Sequence, residues 1–368
     1  MEEKLYVIKS SLSPEQFIII ASEDMQRILA RAINPFQTDS IEGFIESYYF
    51  KGEMNVTVTS TWCHERNTQI PVLISVLMNK DTQAYQIHFK RFFKIYGAKH
   101  TTIDEFILNF PGNTSDFADA IKNGSFLALD TYCLKKYKRK LNTKEKTLMF
   151  RYCDVHFERN LCRVANISKA VDRDRVEEFK DHARNLIKIR NFSAFSKEVK
   201  WLLKEFPLLA SWLKWYLNMD RAWIWFAACR NLSDADNKKF QQLKKDTNAQ
   251  EGLGGFMQSL NNYRSMGLFN VLRLIFSLVS MWDNESTFHR EGMEIKYERI
   301  TAKQKKAARA KPATYKAPES AKRLLSGAGG SARDKYKNST SSNLGTIRAI
   351  AKLPIDDNSP MQLVNVRQ

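Results

Sequence analysis

Cys153 and His156 form a Cys-x-x-His string in the middle of the chain. A thiolate and an imidazole at this spacing are half of a tetrahedral zinc ligand set. Cys162 with Cys229, or His182, would have to complete the set, and the sequence offers no second clean pair. We therefore favour a buried structural pair at Cys153 and His156 over a zinc site.

A basic run near the C-terminus could contact a polyanion. It contains Lys303, Lys305, Lys306, Arg309 and Lys311. The chain carries a net charge of +18, and residues 296–368 account for +11 of it. Such a run is typical of a DNA-contacting arm or a nuclear localisation signal. A solvated basic surface is an equally weighted interpretation.

Four tryptophans lie close together in the sequence and could stack on unpaired bases. Large apolar side chains at helical spacing are more often part of a core. We favour the core interpretation for these residues, which are Trp212, Trp215, Trp223 and Trp225.

Two acidic residues stand at the start of predicted helices. Asp116 lies in Phe110–Ala120, and Glu251 lies in Asp246–Gly252. Asp116 could simply cap the helix that follows it, and Asp119 competes with it for any further role. Glu251 could be a first-turn acid that the helix dipole stabilises. Each residue alone favours these ordinary roles.

Hydrophobic periodicity predicts the elements that would position these residues. Alternating and β-branched runs indicate strands, and apolar residues at helical spacing indicate helices. The patterns predict a helix over residues 13–33, strands over 54–62, 70–78 and 105–110, a helix over 81–95, a helix that starts at 115, and helices over most of 173–276.

This order of elements is typical of an α/β protein with an all-α extension. The tail has few large apolar residues, so we expect it to be disordered. No stretch is apolar enough to span a membrane, and no signal peptide is found. Five cysteines without a regular framework indicate reduced thiols in the cytosol or nucleus. We expect an N-terminal helical segment (1–50), an α/β core (51–165), a helical insertion (166–245), the last helices of the core (246–295) and a basic tail (296–368).

In their order, four strings resemble the Mutator-like element transposases across roughly residues 50–285. They are Val58–Trp62, Phe110–Ala120, Cys153–Phe157 and Asp246–Gly252. The resemblance implies an RNase H-like mixed sheet with helices, an all-α insertion and three carboxylates of the DDE type. Such carboxylates hold two divalent metals, Mg²⁺ or Mn²⁺. The resemblance assigns the second position to Asp116, the third to Glu251, and the place of the missing first Asp to Thr59.

A threonine hydroxyl cannot replace a carboxylate that bridges two dications. We therefore expect a transposase-derived DNA-binding protein with impaired catalysis. One alternative is an active enzyme in which Glu65 or Asp81 supplies the lost carboxylate. Others are a domesticated, non-enzymatic nuclear DNA-binding or interaction protein, and a remnant without function. The resemblance further implies a homo-oligomer, and the lack of a Cys/His array at either end indicates a truncated copy.

Overall fold

The computed structural model describes residues 7–11, 17–46, 54–167, 170–230, 232–261 and 264–293. All of them belong to one unit that spans residues 1–295. The predicted disordered tail lies outside the described residues. So do the five residues of its basic run, Lys303, Lys305, Lys306, Arg309 and Lys311.

Seven strands of the described residues form one mixed sheet. They are β1 (Val7–Ser11), β2 (Phe17–Ile20), β3 (Phe36–Ile41), β4 (Asn55–Cys63), β5 (Thr68–Leu77), β6 (Asn113–Ser115) and β7 (Phe150–Tyr152). The order across the sheet is β1-β2-β5-β4-β3-β6-β7. Strand β3 pairs antiparallel with β4 on one side and parallel with β6 on the other. Strands β6 and β7 are parallel, and all pairs from β1 to β4 are antiparallel.

Helices account for most of the remaining described residues. They are α1 (Glu23–Arg31), α2 (Thr82–Tyr96), α3 (Ile103–Asn109), α4 (Asp119–Tyr137), α5 (Thr143–Thr147), α6 (Asp154–Ala165), α7 (Val176–Lys188), α8 (Phe192–Glu205), α9 (Ala210–Leu217), α10 (Met219–Trp225), α11 (Ala227–Arg230), α12 (Asp234–Gln242), α13 (Asn248–Ser259) and α14 (Leu268–Arg290). Short 3-10 helices occur at Gly97–Lys99, Arg173–Arg175 and Pro207–Leu209. Within the described residues, no helix is long and apolar enough to cross a membrane.

The sheet is covered on both faces, which explains why β4 and β5 are almost continuously buried. On one face, His88 of α2 lies within hydrogen-bond distance of Thr59 and Ser75, at 2.8 Å from each. On the other face, α13 packs over β3, β4 and β5. The α/β architecture that the sequence predicts is therefore confirmed. Strands 54–62 and 70–78 correspond to β4 and β5, and helix 81–95 corresponds to α2.

A second apolar core lies among the helices that follow β7. It includes Phe157, Phe179, Tyr216 and Trp225. Trp225 is buried, as the core interpretation of the tryptophans predicts, and Trp212 and Trp223 are partly buried. Trp215 is different, because 39% of it is exposed. In the described part of residues 166–245, every regular element is a helix.

The N-terminal segment differs from the prediction. Residues 1–50 were expected to be helical, but their described part contains β1, β2 and β3 beside the single helix α1. The apolar run Phe17–Ile20 is an inner strand between β1 and β5. The run is too short for its period to distinguish strand from helix. Ser22 caps α1 by accepting from the backbone N–H of Met25 at 3.1 Å, so the helix starts only there.

The strand predicted over residues 105–110 is wrong, because these residues lie in and just after α3. Thr102 caps the helix by accepting from the backbone N–H of Glu105 at 3.1 Å. Acidic residues in the first turn favour a helix start, and here they are Asp104 and Glu105. The capping signal determined the local structure, and the short apolar run did not.

Candidate active site

Strand β3 presents its side chains alternately to the two faces of the sheet. Ser40 lies on the face of α2, where its hydroxyl is 2.9 Å from the Tyr85 hydroxyl. Gln37 lies on the other face, where its side chain accepts from the backbone N–H of Gln250 in α13 at 3.3 Å. Asp39 is two residues beyond Gln37. Its half-buried side chain therefore faces α13.

Asp116 directly follows β6, the parallel neighbour of β3. The register pairs Phe36 with Asn113 and Gln37 with Thr114. When this register is continued by two residues, Asp116 comes level with Asp39. One carboxylate oxygen of Asp116 accepts from the backbone N–H of Ala118 at 3.0 Å, which orients the side chain. This register brings an acidic residue just after β6 close to Asp39 in β3, and the charge of Asp116 contributes to the raised pKa of Asp39.

Glu251 lies in the first turn of α13. Its two carboxylate oxygens accept from Nη1 of Arg159 at 2.9 and 3.0 Å. Nε2 of His156 lies 3.7 Å from Oε1 of Glu251. The hydroxyl of Thr247 is 3.5 Å from the same oxygen. Helix α13 thus supplies a third carboxylate, which basic residues of α6 contact.

The pKa values of Asp39 and Asp116 show that other negative charges act on both carboxylates. Burial and the charges of Asp116 and Glu251 together raise the pKa of Asp39 from 3.8 to about 7, and burial is the largest cause. The backbone N–H of Ser40 and the charge of His156 oppose this shift. Burial also raises the pKa of Asp116, with contributions from Glu42 and Glu251. The site therefore gathers negative charge that the free protein only partly neutralises.

Cys153 and His156 connect α6 to α13. Cys153 is buried at the N-terminus of α6, and its sulfur accepts from the backbone N–H of Thr247 at 3.3 Å and from the Thr247 hydroxyl at 3.4 Å. Burial raises the pKa of the Cys153 thiol, but interactions with His156 and Thr247 outweigh it and hold the pKa below its ordinary value. Cys153 in turn raises the pKa of His156, as do Asp116 and Glu251. The pair thus joins two helices that carry site residues.

The donor set suits a hard cation better than zinc. Asp39, Asp116 and Glu251 offer carboxylate oxygens, which Mg²⁺ and Mn²⁺ prefer. A divalent cation would also offset the repulsion that raises the pKa values of Asp39 and Asp116. Within the ranges that the structure describes, however, no group of three or more His, Cys, Asp or Glu side chains is arranged to hold a metal ion. The salt bridge of Glu251 to Arg159 keeps this carboxylate engaged with the protein.

The residues that would complete a zinc set with Cys153 and His156 have other partners. Cys162 lies 3.6 Å from a carboxylate oxygen of Glu158. Nδ1 of His182 is 2.6 Å from Oε1 of Glu198, and its ring stacks on Trp201. The structural pair therefore remains the better interpretation.

Thr59 is not brought together with Asp116 and Glu251. It pairs with Thr38 across β3 and β4, on the face of α2. Its hydroxyl lies 2.8 Å from that of Thr38 and 2.8 Å from Nε2 of His88, and the residue is fully buried. The sequence prediction took β4 for the strand that carries the first acidic position. The strand beside β6 is β3, and it carries Asp39.

Other acidic residues that the sequence offered are engaged elsewhere. Asp81 caps α2 by accepting from the backbone N–H of Ala84 at 2.8 Å. Asp119 forms ion pairs with Arg221 and Lys122. Asp116 rather than Asp119 therefore faces Asp39. Sequence reasoning missed Asp39 itself, although its position in a short strand-like run, Phe36–Ile41, was a usable signal.

An open cavity of about 490 Å³ lies beside Asp116. Arg159 and Arg163 of α6 line it together with His156, and Trp215 forms part of its wall. The guanidinium of Arg221 stacks on Trp215 at 3.8 Å from the ring centroid. The cavity thus offers positive charge and an exposed aromatic ring directly beside a carboxylate. We call it the active-site cavity.

In comparisons with known proteins, no family model and no curated protein matches this chain.

Proposed function

We propose that the chain is a transposase-derived enzyme of the DDE type, which cleaves and transfers DNA strands with the help of divalent metals. Asp39, Asp116 and Glu251 are its three carboxylates. One observation carries the proposal: Asp39 lies level with Asp116 on the neighbouring parallel strand, and Asp116 and Glu251 both raise the pKa of Asp39. Asp39 supplies the first carboxylate, which the sequence lacks at Thr59.

The fold that we infer is RNase H-like, since such folds bring carboxylates from distant segments to the ends of neighbouring elements. The supporting features are the inner position of β3 in the sheet and its two kinds of neighbour, antiparallel β4 and parallel β6. A further supporting feature is that α13 packs on the face of the sheet that carries Asp39. Because one fold hosts many functions, the reaction is argued from the carboxylates and not from the fold.

Asp39 and Asp116 would hold Mg²⁺ or Mn²⁺, and Glu251 would join them. Cations held there would supply Lewis-acid activation of a water or a 3′-hydroxyl and charge stabilisation for the leaving oxygen. Arg159 and His156 position Glu251 through their contacts with its carboxylate. In the active-site cavity, Arg163 and Arg159 supply donors for the oxygens of a DNA phosphate. Trp215 offers a face on which an unpaired base can stack.

Nicking of supercoiled DNA in Mg²⁺ or Mn²⁺ tests the proposal. We expect activity in the parent chain and in Asp104→Asn, a matched control whose side chain is 91% exposed. We expect Asp39→Asn and Asp116→Asn to be inactive. Thr59→Val keeps the size of the buried residue and should retain activity if it folds, which thermal unfolding will show. An inactive parent, or an active Asp39→Asn, contradicts the proposal.

A second candidate is a DNA-binding protein without catalysis. The salt bridge between Glu251 and Arg159 favours it, together with the lack of a metal-ready group in the described part of the chain. In that case the parent binds DNA with a strong dependence on salt, as phosphate contacts require. It would show no nicking with either cation, and calorimetry would detect no bound Mn²⁺.

A further inference from the structure

A second cavity, of about 460 Å³, lies on the other side of α6. Asp154, Phe157 and Glu158 line this cavity, whereas His156, Arg159 and Arg163 of the same helix line the active-site cavity. Six basic residues surround the second cavity, against the two acids Asp154 and Glu158. They are Arg151, Arg184, Lys188, Arg190, Arg230 and Lys245. We call it the basic cavity.

Two of these arginines are buried close to each other. Arg151 is 7% exposed and Arg230 is 8% exposed. Both guanidiniums pack on the ring of Phe240, at 5.2 and 4.1 Å from its centroid. Burial and the charge of Arg151 together lower the pKa of Arg230 to about 10, and burial is the larger cause. The protein thus holds two like charges where water cannot screen them.

The hydrogen bonds of these two arginines are incomplete. Arg151 donates through Nη2 to both carboxylate oxygens of Asp154, at 2.9 and 3.0 Å. Arg230 donates through Nη1 to the carbonyl oxygens of Ile224 and Trp225. Among the described residues, no partner is found for Nε and Nη1 of Arg151 or for Nε of Arg230. Buried donors without a partner are rare in folded proteins, so a ligand is a natural explanation.

The remaining charges leave room for an anion. Glu158 accepts from Arg184 at 3.2 Å through Oε2 and at 2.5 Å through Oε1. Asp154 is bound by Arg151, so both acids of the cavity are already paired. Lys188 and Lys245 are exposed at its rim. Arginine forks and lysine ammonium groups together are the typical ligands of a phosphate group.

We propose that the basic cavity binds a phosphate group, carried either by the DNA backbone or by a small phosphate-bearing molecule. Its size lies within the range of small-molecule sites. The site is separate from the carboxylates, and its existence does not depend on metal-assisted cleavage. Arg151 lies within β7 and pairs with Thr114 of β6, two residues before Asp116. Lys245 lies two residues before Thr247, which precedes α13. A bound phosphate would therefore hold the segments that carry site residues.

Calorimetric titration of the full chain with sodium pyrophosphate, without metal, tests the proposal. Lys188→Glu/Lys245→Glu reverses two exposed charges at the rim, and we expect it to weaken binding by about tenfold or more. Lys197→Glu/Lys200→Glu makes the same charge change on exposed residues of α8 outside the cavity, and it should leave binding unchanged. Arg151→Gln should also weaken binding, provided that its thermal unfolding shows a folded protein.

Three results would overturn the proposal. The first is that pyrophosphate does not bind, and the second is that both double variants weaken pyrophosphate binding equally. The third is that Arg159→Gln, in the active-site cavity, weakens pyrophosphate binding while Lys188→Glu/Lys245→Glu does not. A short single-stranded oligonucleotide then distinguishes the sources of the phosphate. If the DNA backbone supplies it, the rim variant weakens oligonucleotide binding and pyrophosphate competes. If a small molecule supplies it, only pyrophosphate binding is weakened.

Discussion

Helix α6 separates two clusters of like charge. On one side, Asp39 in β3 and Asp116 after β6 have pKa values raised by burial and by nearby carboxylates. On the other side, Arg151 and Arg230 share the ring of Phe240. In both clusters, repulsion between buried like charges is an unfavourable contribution in the free protein. Each is therefore suited to a ligand of the opposite charge: a divalent cation for the first, a phosphate for the second.

The two clusters differ in the hydrogen bonds that their charged side chains make with the backbone. Asp39 and Asp116 each accept a hydrogen bond from a nearby backbone N–H. The buried Arg230 donates to two buried carbonyl oxygens at the end of α10, so it also fixes local structure. Removal of one charge should therefore have opposite effects on stability in the two clusters. This contrast generates the predictions that follow.

The largest effect is expected from Glu251→Gln on DNA nicking. The substitution keeps the size of the side chain but removes the third negative charge. Without this charge, a metal-assisted transition state would lose several kcal/mol of stabilisation. The nicking rate should therefore fall by about 1,000-fold. Initial nicking rates in Mn²⁺ measure this. A rate within a few-fold of the parent would show that Glu251 is only a first-turn acid of α13.

Asp39→Asn should stabilise the metal-free protein at pH 8. The pKa of Asp39 in the folded protein is about 7, above its ordinary value of 3.8. The folded state thus holds a proton that the unfolded state has lost, and stability falls as pH rises from about 4 to 7. Asparagine removes this loss, so the free energy of unfolding at pH 8 should rise by up to about 4 kcal/mol. The gain should shrink towards pH 4, and a gain that does not depend on pH contradicts the account.

Arg230→Met should destabilise the protein. The methionine relieves repulsion with Arg151, but it leaves the carbonyl oxygens of Ile224 and Trp225 without their donor. Unsatisfied buried acceptors cost about 1–3 kcal/mol, and we expect a net loss of about 1–2 kcal/mol. Chemical denaturation at neutral pH measures it. A more stable variant would mean that repulsion between the two arginines outweighs their structural bonds.

The smallest effect is expected from Thr247→Val, at the junction of α6 and α13. The variant loses the hydroxyl contacts to Cys153 and Glu251 but keeps the backbone N–H contact to the sulfur. We expect a loss of about 1 kcal/mol in the free energy of unfolding. The pKa of Cys153 should rise, because one of the groups that lower it is gone. The pH dependence of thiolate absorbance, compared between the parent and the variant, measures this, and an unchanged profile would argue against the contact.

Much of the fold could be predicted from periodicity and capping. Strands β4 and β5 are long, apolar and β-branched, and α2 has a strong apolar face behind its capping residue Asp81. The short strands could not be predicted with the same ease. Strand β3 has six residues with Thr, Asp and Ser in the middle, so its apolar content is low. Its burial comes from neighbours that are distant in sequence, β4 and β6.

The site was predictable where the residues lie at element boundaries. Glu251 stands in the first turn of α13, as predicted. Asp116 follows the unpredicted strand β6, and α4 starts at Asp119 rather than at 115. Asp39 was not predicted because its strand, β3, was not predicted. Thr59 was assigned as the first position instead, because β4 is the more obvious strand. The assignment of the first position to β4 instead of β3 also placed it on the other face of the sheet. Thr59 bonds to Thr38 and His88 on the face of α2, whereas Asp39 faces α13. The basic cavity was not predictable, since its two buried arginines, Arg151 and Arg230, come from β7 and α11, which are distant in sequence.

The most direct test of the central claim is the binding of Mn²⁺ to the metal-free protein by calorimetry at pH 8. The account predicts saturable binding in the parent and in Asp104→Asn, and a loss of at least about tenfold in affinity in Asp39→Asn. It also predicts that Thr59→Asp brings no gain, because that side chain points to the face of α2. Equal affinity in the parent and Asp39→Asn, or tighter binding in Thr59→Asp, would contradict the assignment of Asp39 as the first carboxylate.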